Sequence, residues 1–375
     1  MRVLYVIDSL APGGAETSLA EMAPEMVSRG VELHIVPLGD RTDLLPELEQ
    51  AGANVHTQQP PGGRVVNIRR VMHVARRIQP DLVHTTLFEA DFAGRIAARA
   101  LNIPSSSSIV NDSYGPSHYA ESTTAKLHAA RALDAATARF STRFHAISAA
   151  IAESVPPRLG IPSSRVEVIP RGRDPEKFPF QQEPVRSLTR QRLGIGLGTP
   201  VVLVLSRLEP QKGLLVLIRA LRTVVRMHPD VVVLFAGREG RAGAALRSES
   251  ASLMADVRFL GHRTDAAALL TAADVLCFPS EREGFGGVLI EAMAVGCPVV
   301  ASSIPTTLEV LGEDIGTITP VGDTRGLADA LNRVLSDKPA AAASARRGRA
   351  RFDELFTTDA VVNQMIDFFE RSRSR

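Results

Sequence analysis

Short apolar runs and amphipathic segments alternate along the chain. Apolar runs bounded by polar or glycine residues occur at 2–7, 31–38, 81–84, 201–205, 231–236 and 274–278. Apolar residues recur at nearly helical spacing at 65–79, 88–101, 125–139, 214–227 and 327–335. The first pattern is typical of buried strands and the second of helices. Because the two alternate, the chain is predicted to form an α/β fold with doubly wound parallel sheets.

The strand–helix alternation starts a second time after residue 198. Residues 178–198 are rich in charge, proline and glutamine, which predicts a linker with a short helix. A chain of 375 residues is long enough for two hydrophobic cores. We therefore expect an N-terminal domain at 1–174 and a C-terminal domain at 175–355, followed by a helix at about 356–372.

Composition and charge narrow the class of protein. Hydrophobic residues make up 45% and charged residues 22%, as in ordinary globular proteins, and a net charge of +2 gives no argument for nucleic-acid binding. No apolar run approaches the roughly 20 residues of a membrane span, and the first residues lack a signal-peptide layout, so a cytoplasmic protein is expected. Cys277 and Cys297 lie in apolar surroundings, which predicts reduced core thiols, and no Cys/His cluster has metal-ligand spacing.

The segment 279–298 carries the chemistry around which the other motifs are arranged. Glu283 and Glu291 bracket a glycine-rich turn that leads from a predicted strand into a predicted helix. A helix N-terminus offers free backbone N–H groups and a positive dipole end, both of which suit a diphosphate. Carboxylates beside it are acceptors for sugar hydroxyls, so this turn is a candidate nucleotide-sugar site; the alternative is a plain turn with two solvated glutamates.

This segment resembles the E-x7-E signature of retaining glycosyltransferases of the GT-B architecture, family 4 in particular, through EGFG followed by EAMA and PVVAS. The resemblance implies two Rossmann-like domains that face each other across a cleft. It places the nucleotide-sugar donor in the second domain and the acceptor in the first. It also implies that the final helix, at about 356–372, packs back on the first domain.

Two further loops resemble the same family. Gly13 and Gly14, in the GGAE loop after the first strand, match a turn that lies beside the donor's sugar and phosphates. In SRLEPQKG, Arg207 and Lys212 match the cations that the family directs at the donor diphosphate. Two cations and a helix start would neutralise the charge that grows on the leaving phosphate.

The resemblance implies a full set of donor and catalytic residues. Arg207, Lys212 and Glu283 are the expected catalytic residues, with Glu283 on donor-sugar hydroxyls and Glu291 on ribose hydroxyls. The expected donor-binding residues are Gly13, Gly14, Arg207, Lys212, Arg263, Glu283, Gly284, Phe285, Gly286, Leu289 and Glu291. No D-x-D motif occurs, so we expect no metal and no cofactor besides the co-substrate. By resemblance the reaction retains configuration, with the departing phosphate accepting the acceptor's proton.

The acceptor half departs from the family pattern. Many relatives carry a histidine where this chain has Asn111, which cannot take a proton, and His118 lies seven residues beyond it. Because ligands of open α/β sheets bind at the carboxyl ends of strands, the polar loop 111–122 is a candidate acceptor site, with Asn111 and His118 as binding residues. A surface loop over the sheet edge is the alternative.

A basic amphipathic helix is predicted at 65–79. One face carries Ile68, Val71, Met72, Ala75 and Ile78, and the other carries Arg64, Arg69, Arg70, His73, Arg76 and Arg77. Such a helix can contact the anionic inner face of a membrane, which matters because many relatives use lipid-linked acceptors. A surface helix with a solvated arginine face is the alternative.

Three other functions remain open at this point. A nucleotide-sugar epimerase shares the architecture, and a catalytically silent nucleotide-sugar binder would keep the pocket but not the reaction. An NAD-dependent oxidoreductase is disfavoured because no G-x-G-x-x-G follows the first strand. The expected partners are a UDP- or GDP-sugar and a glycan, lipid-linked or small-molecule acceptor, with no nucleic acid.

Overall fold

The computed structural model describes residues 1–57, 62–115 and 124–374. These residues form two compact units. The first unit combines Met1–Gly172 with Thr357–Arg375, and the second is Arg173–Phe356. The chain passes into the second unit two residues before residue 174, where the sequence places the end of the first domain.

The first unit contains a seven-stranded sheet in the order β3-β2-β1-β4-β5-β6-β7, with every neighbouring pair parallel. Its strands are β1 (Arg2–Ile7), β2 (Glu32–Pro37), β3 (Asn54–Val55), β4 (Leu82–Thr86), β5 (Ser105–Ile109), β6 (Arg143–Ala146) and β7 (Val166–Val168). Its helices are α1 (Gly14–Ser28), α2 (Leu45–Gln50), α3 (Arg64–Ile78), α4 (Phe88–Leu101), α5 (Thr124–Ala138), α6 (Ala149–Ser154) and, after the second unit, α15 (Thr358–Arg373).

The second unit contains a six-stranded parallel sheet in the order β10-β9-β8-β11-β12-β13. Its strands are β8 (Val201–Leu205), β9 (Val232–Ala236), β10 (Asp256–Gly261), β11 (Val275–Phe278), β12 (Val299–Ser302) and β13 (Thr317–Thr319). Its helices are α7 (Glu183–Arg192), α8 (Leu214–Met227), α9 (Gly243–Ser250), α10 (Ala266–Ala272), α11 (Gly287–Val295), α12 (Pro305–Leu311), α13 (Thr324–Ser336) and α14 (Lys338–Leu355). The predicted fold class of two Rossmann-like α/β domains is confirmed.

Strand β1 shows how each sheet is buried on both faces. Val3 and Ile7 point into a core that also contains α1 and α15, whereas Leu4 and Val6 point into a core on the other face. Buried parallel strands therefore appear as nearly continuous apolar runs. Helix α15 contributes five buried side chains to the first of these cores, namely Val361, Val362, Met365, Phe368 and Phe369.

Strand β5 departs from this apolar pattern because four of its five residues are buried serines. His84 lies between Ser106 and Ser108, with a ring nitrogen 2.8 Å from each hydroxyl. Ser108 also contacts Nδ1 of His145 at 2.8 Å, and Nε2 of His145 lies 2.8 Å from the carbonyl oxygen of Ile169. Burial lowers the pKa of His145 to about 4 and the pKa of His84 well below its usual value. Both imidazoles are therefore neutral packing groups.

Two sequence expectations need correction. Helix α14 was not predicted, because its alanine- and arginine-rich sequence has few large apolar residues and buries only Ala345, Gly348 and Phe352. On α3, Arg70 does not belong to the solvated arginine face. It is buried and donates to the carbonyl oxygen of His56 at 2.8 Å.

Candidate active site

Two loops at the carboxyl ends of β8 and β11 are in direct backbone contact. A Cβ atom on Gly213 would lie 2.0 Å from the carbonyl oxygen of Pro279, and Gly213 has the left-handed φ of 64° that favours glycine. The N–H of Glu281 donates to the carbonyl of Gln211 at 2.9 Å. Because β8 and β11 are neighbours in the sheet, the SRLEPQKG loop and the E-x7-E turn meet at one edge.

The loop after β9 joins the same edge. A Cβ atom on Gly237 would lie 1.8 Å from the carbonyl oxygen of Ser206, so only glycine fits at this approach. The N–H of Gly237 also donates to the carbonyl of Gly261 at 2.7 Å, which connects the end of β10. Four adjacent strands therefore place their carboxyl-terminal loops in one interlocked group, where open α/β sheets bind ligands.

Lys212 and Glu283 are brought together at the centre of this group. The ammonium of Lys212 donates to Oε1 of Glu283, and both side chains are mostly buried. Ser280 Oγ donates to the same carboxylate oxygen at 2.9 Å. A cation and a carboxylate from two different loops are thus held side by side.

The loop after β8 contains two buried polar atoms that lack partners. Ser206 Oγ and Gln211 Oε1 are buried and have no hydrogen-bond partner among the described residues. Arg207, between them in sequence, is exposed and forms no ion pair with any described carboxylate. Because buried polar groups are nearly always hydrogen-bonded, the two orphan oxygens and the unpaired guanidinium indicate where a ligand would bind. Ser206 and Gln211 were missed from sequence, since only burial singles them out.

Glu291 lies on helix α11 and is held by an arginine, Arg173. Nε of Arg173 donates to Oε1 of Glu291 at 2.7 Å, with the Arg173 side chain 8% and the Glu291 side chain 15% exposed. A Cβ atom on Gly287, the first residue of α11, would lie 2.8 Å from Nη2 of Arg173. Arg173 is therefore a positive charge at the start of this helix and is not solvated.

The remaining residues of the turn support it by packing. Gly286 adopts the left-handed φ of 86° that ends the turn and precedes α11. Phe285 is buried with its ring 6.1 Å from that of Phe356, and Leu289 is fully buried. Gly284 lies in the turn between Glu283 and Phe285. Phe285 and Leu289 therefore hold the turn in place by packing.

Arg263, the expected nucleobase wall, lies just beyond β10. Its guanidinium pairs with Asp265, with Nε 2.8 Å from Oδ1, and both side chains are 39% exposed. The structure therefore places Arg263 in an exposed local ion pair, separate from the Lys212–Glu283 pair.

In the first unit, Gly13 is the N-cap of α1 and Gly14 is its first residue, after the carboxyl end of β1. A Cβ atom on Gly13 would lie 2.5 Å from Oε2 of Glu16, and one on Gly14 would lie 2.5 Å from Nη1 of Arg171. Burial raises the pKa of Tyr5, whose hydroxyl lies 2.8 Å from Thr86 Oγ1, to about 12, so this tyrosine is protonated. The GGAE loop therefore lies beside the guanidinium of Arg171.

Asn111, one of the two candidate acceptor residues, lies at a polar cavity of about 260 Å³ at the same edge of the first sheet. Asn111 lines it, is exposed, and accepts a hydrogen bond from Ser113 Oγ. Asp8 also lines it, accepts the N–H of Ala90 at 2.7 Å, and has its pKa raised to about 6 by burial. His118 lies outside the described residues.

A buried ion-pair network forms one wall of this cavity. Arg95, only 1% exposed, pairs with Asp134 at 2.6 Å and with Asp91 at 3.3 Å. Tyr114 donates its hydroxyl to Oδ2 of Asp134 at 2.8 Å. Burial raises the pKa of Asp91 to about 7. The wall is therefore polar, fully bonded and net acidic.

Across 1–57, 62–115 and 124–374, no group of three or more His, Cys, Asp or Glu side chains has the arrangement of a metal site. Within those ranges, no helix combines the length and the apolar character needed to cross a bilayer. Cys277 and Cys297 are both free and buried, and burial raises the pKa of Cys297 to about 12.

Family models and known proteins match most of this chain. Residues 185–351 match the family model described as Glycosyl transferases group 1, and residues 12–177 match Glycosyltransferase Family 4. Over 379 aligned residues the chain is 30% identical to phosphatidyl-myo-inositol mannosyltransferase of Mycobacterium tuberculosis, covering 96% of this chain and 93% of the relative. It is 41% identical over 166 residues to the protein of that name from Mycolicibacterium smegmatis, covering 43% and 42% of the two chains.

Other curated matches are shorter. In four of them the aligned part spans between 34% and 56% of the relative's own length. Among solved structures, HepE from Anabaena in complex with UDP and glucose superposes with a TM-score of 0.84 at 26% identity, covering 99% of this chain and 100% of that one.

Proposed function

We propose a transferase function from the premise that this chain belongs to the group 1 glycosyl transferases with the GT-B fold. It moves a sugar from a nucleotide diphosphate sugar to an acceptor hydroxyl. The observation that carries the proposal is the Lys212–Glu283 pair, held between two loops that interlock at Gly213 and Pro279. A plain structural turn would need neither the buried cation nor the orphan polar atoms beside it.

The diphosphate is assigned to Lys212, Arg207 and the start of α11. When the bond from the anomeric carbon to the phosphate oxygen breaks, its electron pair stays on the phosphate and negative charge grows there. Lys212 is mostly buried, so its interaction with that charge is strong, and exposed Arg207 provides a planar fork for two phosphate oxygens. These cations make the reaction independent of a divalent metal.

The carboxylates orient the rest of the donor. Glu283 shares Oε1 between Lys212 and Ser280, which leaves Oε2 for a hydroxyl of the transferred sugar. Glu291, oriented by Arg173, accepts from the ribose hydroxyls. The acceptor hydroxyl attacks the anomeric carbon on the face from which the phosphate leaves, and its proton passes to that phosphate, so configuration is retained. No protein base is then required at Asn111.

The acceptor is assigned to the polar cavity of the first unit, with Asn111 at its rim. Relatives are named as mannosyltransferases acting on phosphatidyl-myo-inositol, so a lipid-linked acceptor is the favoured class. Helix α3 supports contact with a membrane surface, because Val65 and Val66 are 61% and 53% exposed beside Arg64 and Arg69. Exposed apolar residues next to cations are what an anionic interface binds.

A donor screen tests the proposal directly. UDP-sugars and GDP-sugars are compared for thermal stabilisation of the chain, because a relative is named GDP-mannose-dependent and the Anabaena neighbour holds UDP-glucose. The stabilising donor is then incubated with and without candidate acceptors, with and without EDTA, and the products are separated. Acceptor-dependent transfer that EDTA leaves unchanged is expected, and the anomeric configuration of the product tests retention.

Two outcomes of this experiment would overturn the proposed transferase function. Conversion of the donor to an isomeric nucleotide sugar without acceptor would identify an epimerase. Tight donor binding with neither transfer nor slow hydrolysis would identify a silent binder.

A further inference from the structure

A second, strongly basic concavity lies in the first unit at the opposite edge of the sheet from Gly13 and Asp8. It has a volume of about 690 Å³ and lies where β5, β6 and β7 begin. Five arginines line it, namely Arg99, Arg139, Arg143, Arg165 and Arg371. No aspartate or glutamate is among the described residues that line it. We call it the arginine groove.

Three of the five arginines are partly engaged within the protein. Arg143 and Arg371 share Glu167, at 3.0 Å and 2.6 Å. Arg165 donates to the backbone carbonyls of residues 141 and 142. Arg99 and Arg139 are exposed, and neither pairs with a carboxylate anywhere in the described part of the chain.

Local structure does not account for this much positive charge. Helices α4, α5 and α15 all end at the groove, and each carboxyl end carries about half a negative charge. Together with Glu167 they offset roughly two and a half of the five positive charges, so about half of the charge is left uncompensated. A general excess of basic residues is not the cause, because 43 Lys and Arg face 41 Asp and Glu in the whole chain.

We propose that the arginine groove binds a free small molecule that carries two phosphate groups. Guanidinium groups bind phosphate oxygens in pairs, and the surplus charge matches an anion of this size. Phe140 lines the groove, with the Arg139 guanidinium 5.5 Å from its ring centroid, which adds a flat surface beside the cations.

The shape of the groove favours a free molecule over a lipid surface. Its apolar lining residues, Ile103, Pro104 and Phe140, are half-buried, so none protrudes to enter acyl chains. Membrane docking combines cations with protruding apolar residues, as at the start of α3. The arginine groove has the cations but no protruding apolar residue in its described lining.

Calorimetric titration with inorganic pyrophosphate tests the proposal. The titration uses the full chain with Arg207→Gln and Lys212→Gln, so that binding at the proposed donor site does not contribute. We expect saturable binding near one equivalent in that background. Adding Arg99→Gln and Arg139→Gln should weaken it at least tenfold, whereas adding Arg222→Gln and Arg226→Gln, two exposed arginines of α8, should change it less than twofold.

The outcomes separate this site from the proposed donor site. Failure of the donor screen leaves the pyrophosphate titration unaffected, since it is performed without the donor-site cations. Absent binding, or equal weakening by both arginine pairs, would overturn the proposal. The proposal would also be overturned if the chain sedimented with phosphatidylglycerol vesicles in a manner that depends on Arg99 and Arg139 but did not bind pyrophosphate. If the quadruple variant does not fold, single Arg99→Gln and Arg139→Gln changes replace the pair, each expected to weaken binding at least threefold.

Discussion

The backbone of Gly213 lies against the carbonyl group of Pro279 so closely that a methyl group on Gly213 would be 2.0 Å from that oxygen. Neither partner is a side chain that could rotate away. Because Lys212 immediately precedes Gly213 and Glu283 follows Pro279 by four residues, this contact fixes the spacing of the two loops that carry the proposed diphosphate and sugar ligands.

Replacing Gly213 with alanine should therefore destabilise the second unit. The left-handed φ of 64° costs an L-residue about 1 kcal/mol, and the clash adds about 2 kcal/mol through a forced backbone shift. Gly194→Ala is the matched control, because Gly194 has a φ of 63° and nothing within 4 Å of an added Cβ. Urea unfolding should show a loss about 2 kcal/mol larger for Gly213→Ala. Equal losses would mean that the loop contact is not rigid.

Lys212→Ala should lower kcat by about 10²- to 10³-fold and change donor KM only a few-fold. The charge that Lys212 meets is largest when the phosphate leaves, so its loss affects the transition state more than the bound donor. Steady-state kinetics with the donor identified by the thermal screen measure both constants. Lys126→Ala, which removes an exposed lysine of α5, should leave both unchanged. Equal losses in kcat and in donor affinity would refute this role.

Glu291→Ala should reduce the free energy of unfolding by about 3 kcal/mol, because it leaves the buried guanidinium of Arg173 without its carboxylate. Asp265→Ala is the comparison, since its pair with Arg263 is 39% exposed on both sides and should be worth less than about 1 kcal/mol. Urea unfolding of both variants at the same pH measures the two losses in free energy of unfolding. A loss at Glu291 no larger than that at Asp265 would show that the buried pair does not organise the turn.

The raised pKa of Asp8 predicts that the difference in folding stability between wild type and Asp8→Asn depends on pH. Burial raises the pKa of Asp8 from 3.8 to about 6, with Glu89 and Glu16 adding to the shift, so the folded state holds this proton more tightly than the unfolded state. That contribution to stability is full below pH 4 and is lost as the pH rises through 6. The asparagine variant has no proton to lose and keeps an acceptor for the N–H of Ala90.

The stability of Asp8→Asn relative to wild type should therefore increase by about 3 kcal/mol between pH 4 and pH 7. Buried His145 and His84 have lowered pKa values and lose stability in the opposite direction, as pH falls, but they are common to both proteins and cancel in the difference. Asp40→Asn, at an exposed aspartate, is the control and should show a flat difference. Urea unfolding of the wild type and of each variant at pH 4 and pH 7 measures these stability differences.

The fold class could be predicted from the sequence because most strands are apolar runs and several long helices have a clear apolar stripe. Helix Leu214–Met227 and strand Val201–Leu205 coincide with their predicted limits. The serine strand Ser105–Ile109 shows the limit of that logic, since its burial depends on His84 and Arg95, which lie far away in sequence. Hydroxyls satisfied by distant partners have no local signature.

The candidate site was predictable only in part for the same reason. Motif spacing singled out Lys212 and Glu283, which the structure brings into contact. It did not single out Arg173 as the partner of Glu291, because the two are 118 positions apart. Ser206 and Gln211 have ordinary side chains in a polar loop, and only their burial without partners distinguishes them.

Helix Thr358–Arg373 also determines the order in which the chain can mature on the ribosome. The first unit needs Val361, Met365 and Phe369 to cover its sheet, so it stays incomplete until the helix at residues 358–373 has been translated. The second unit is contiguous and is fully translated roughly one to four seconds earlier, at typical elongation rates. A nascent chain released early therefore exposes the apolar face beside β1, which marks truncated products for quality-control proteases.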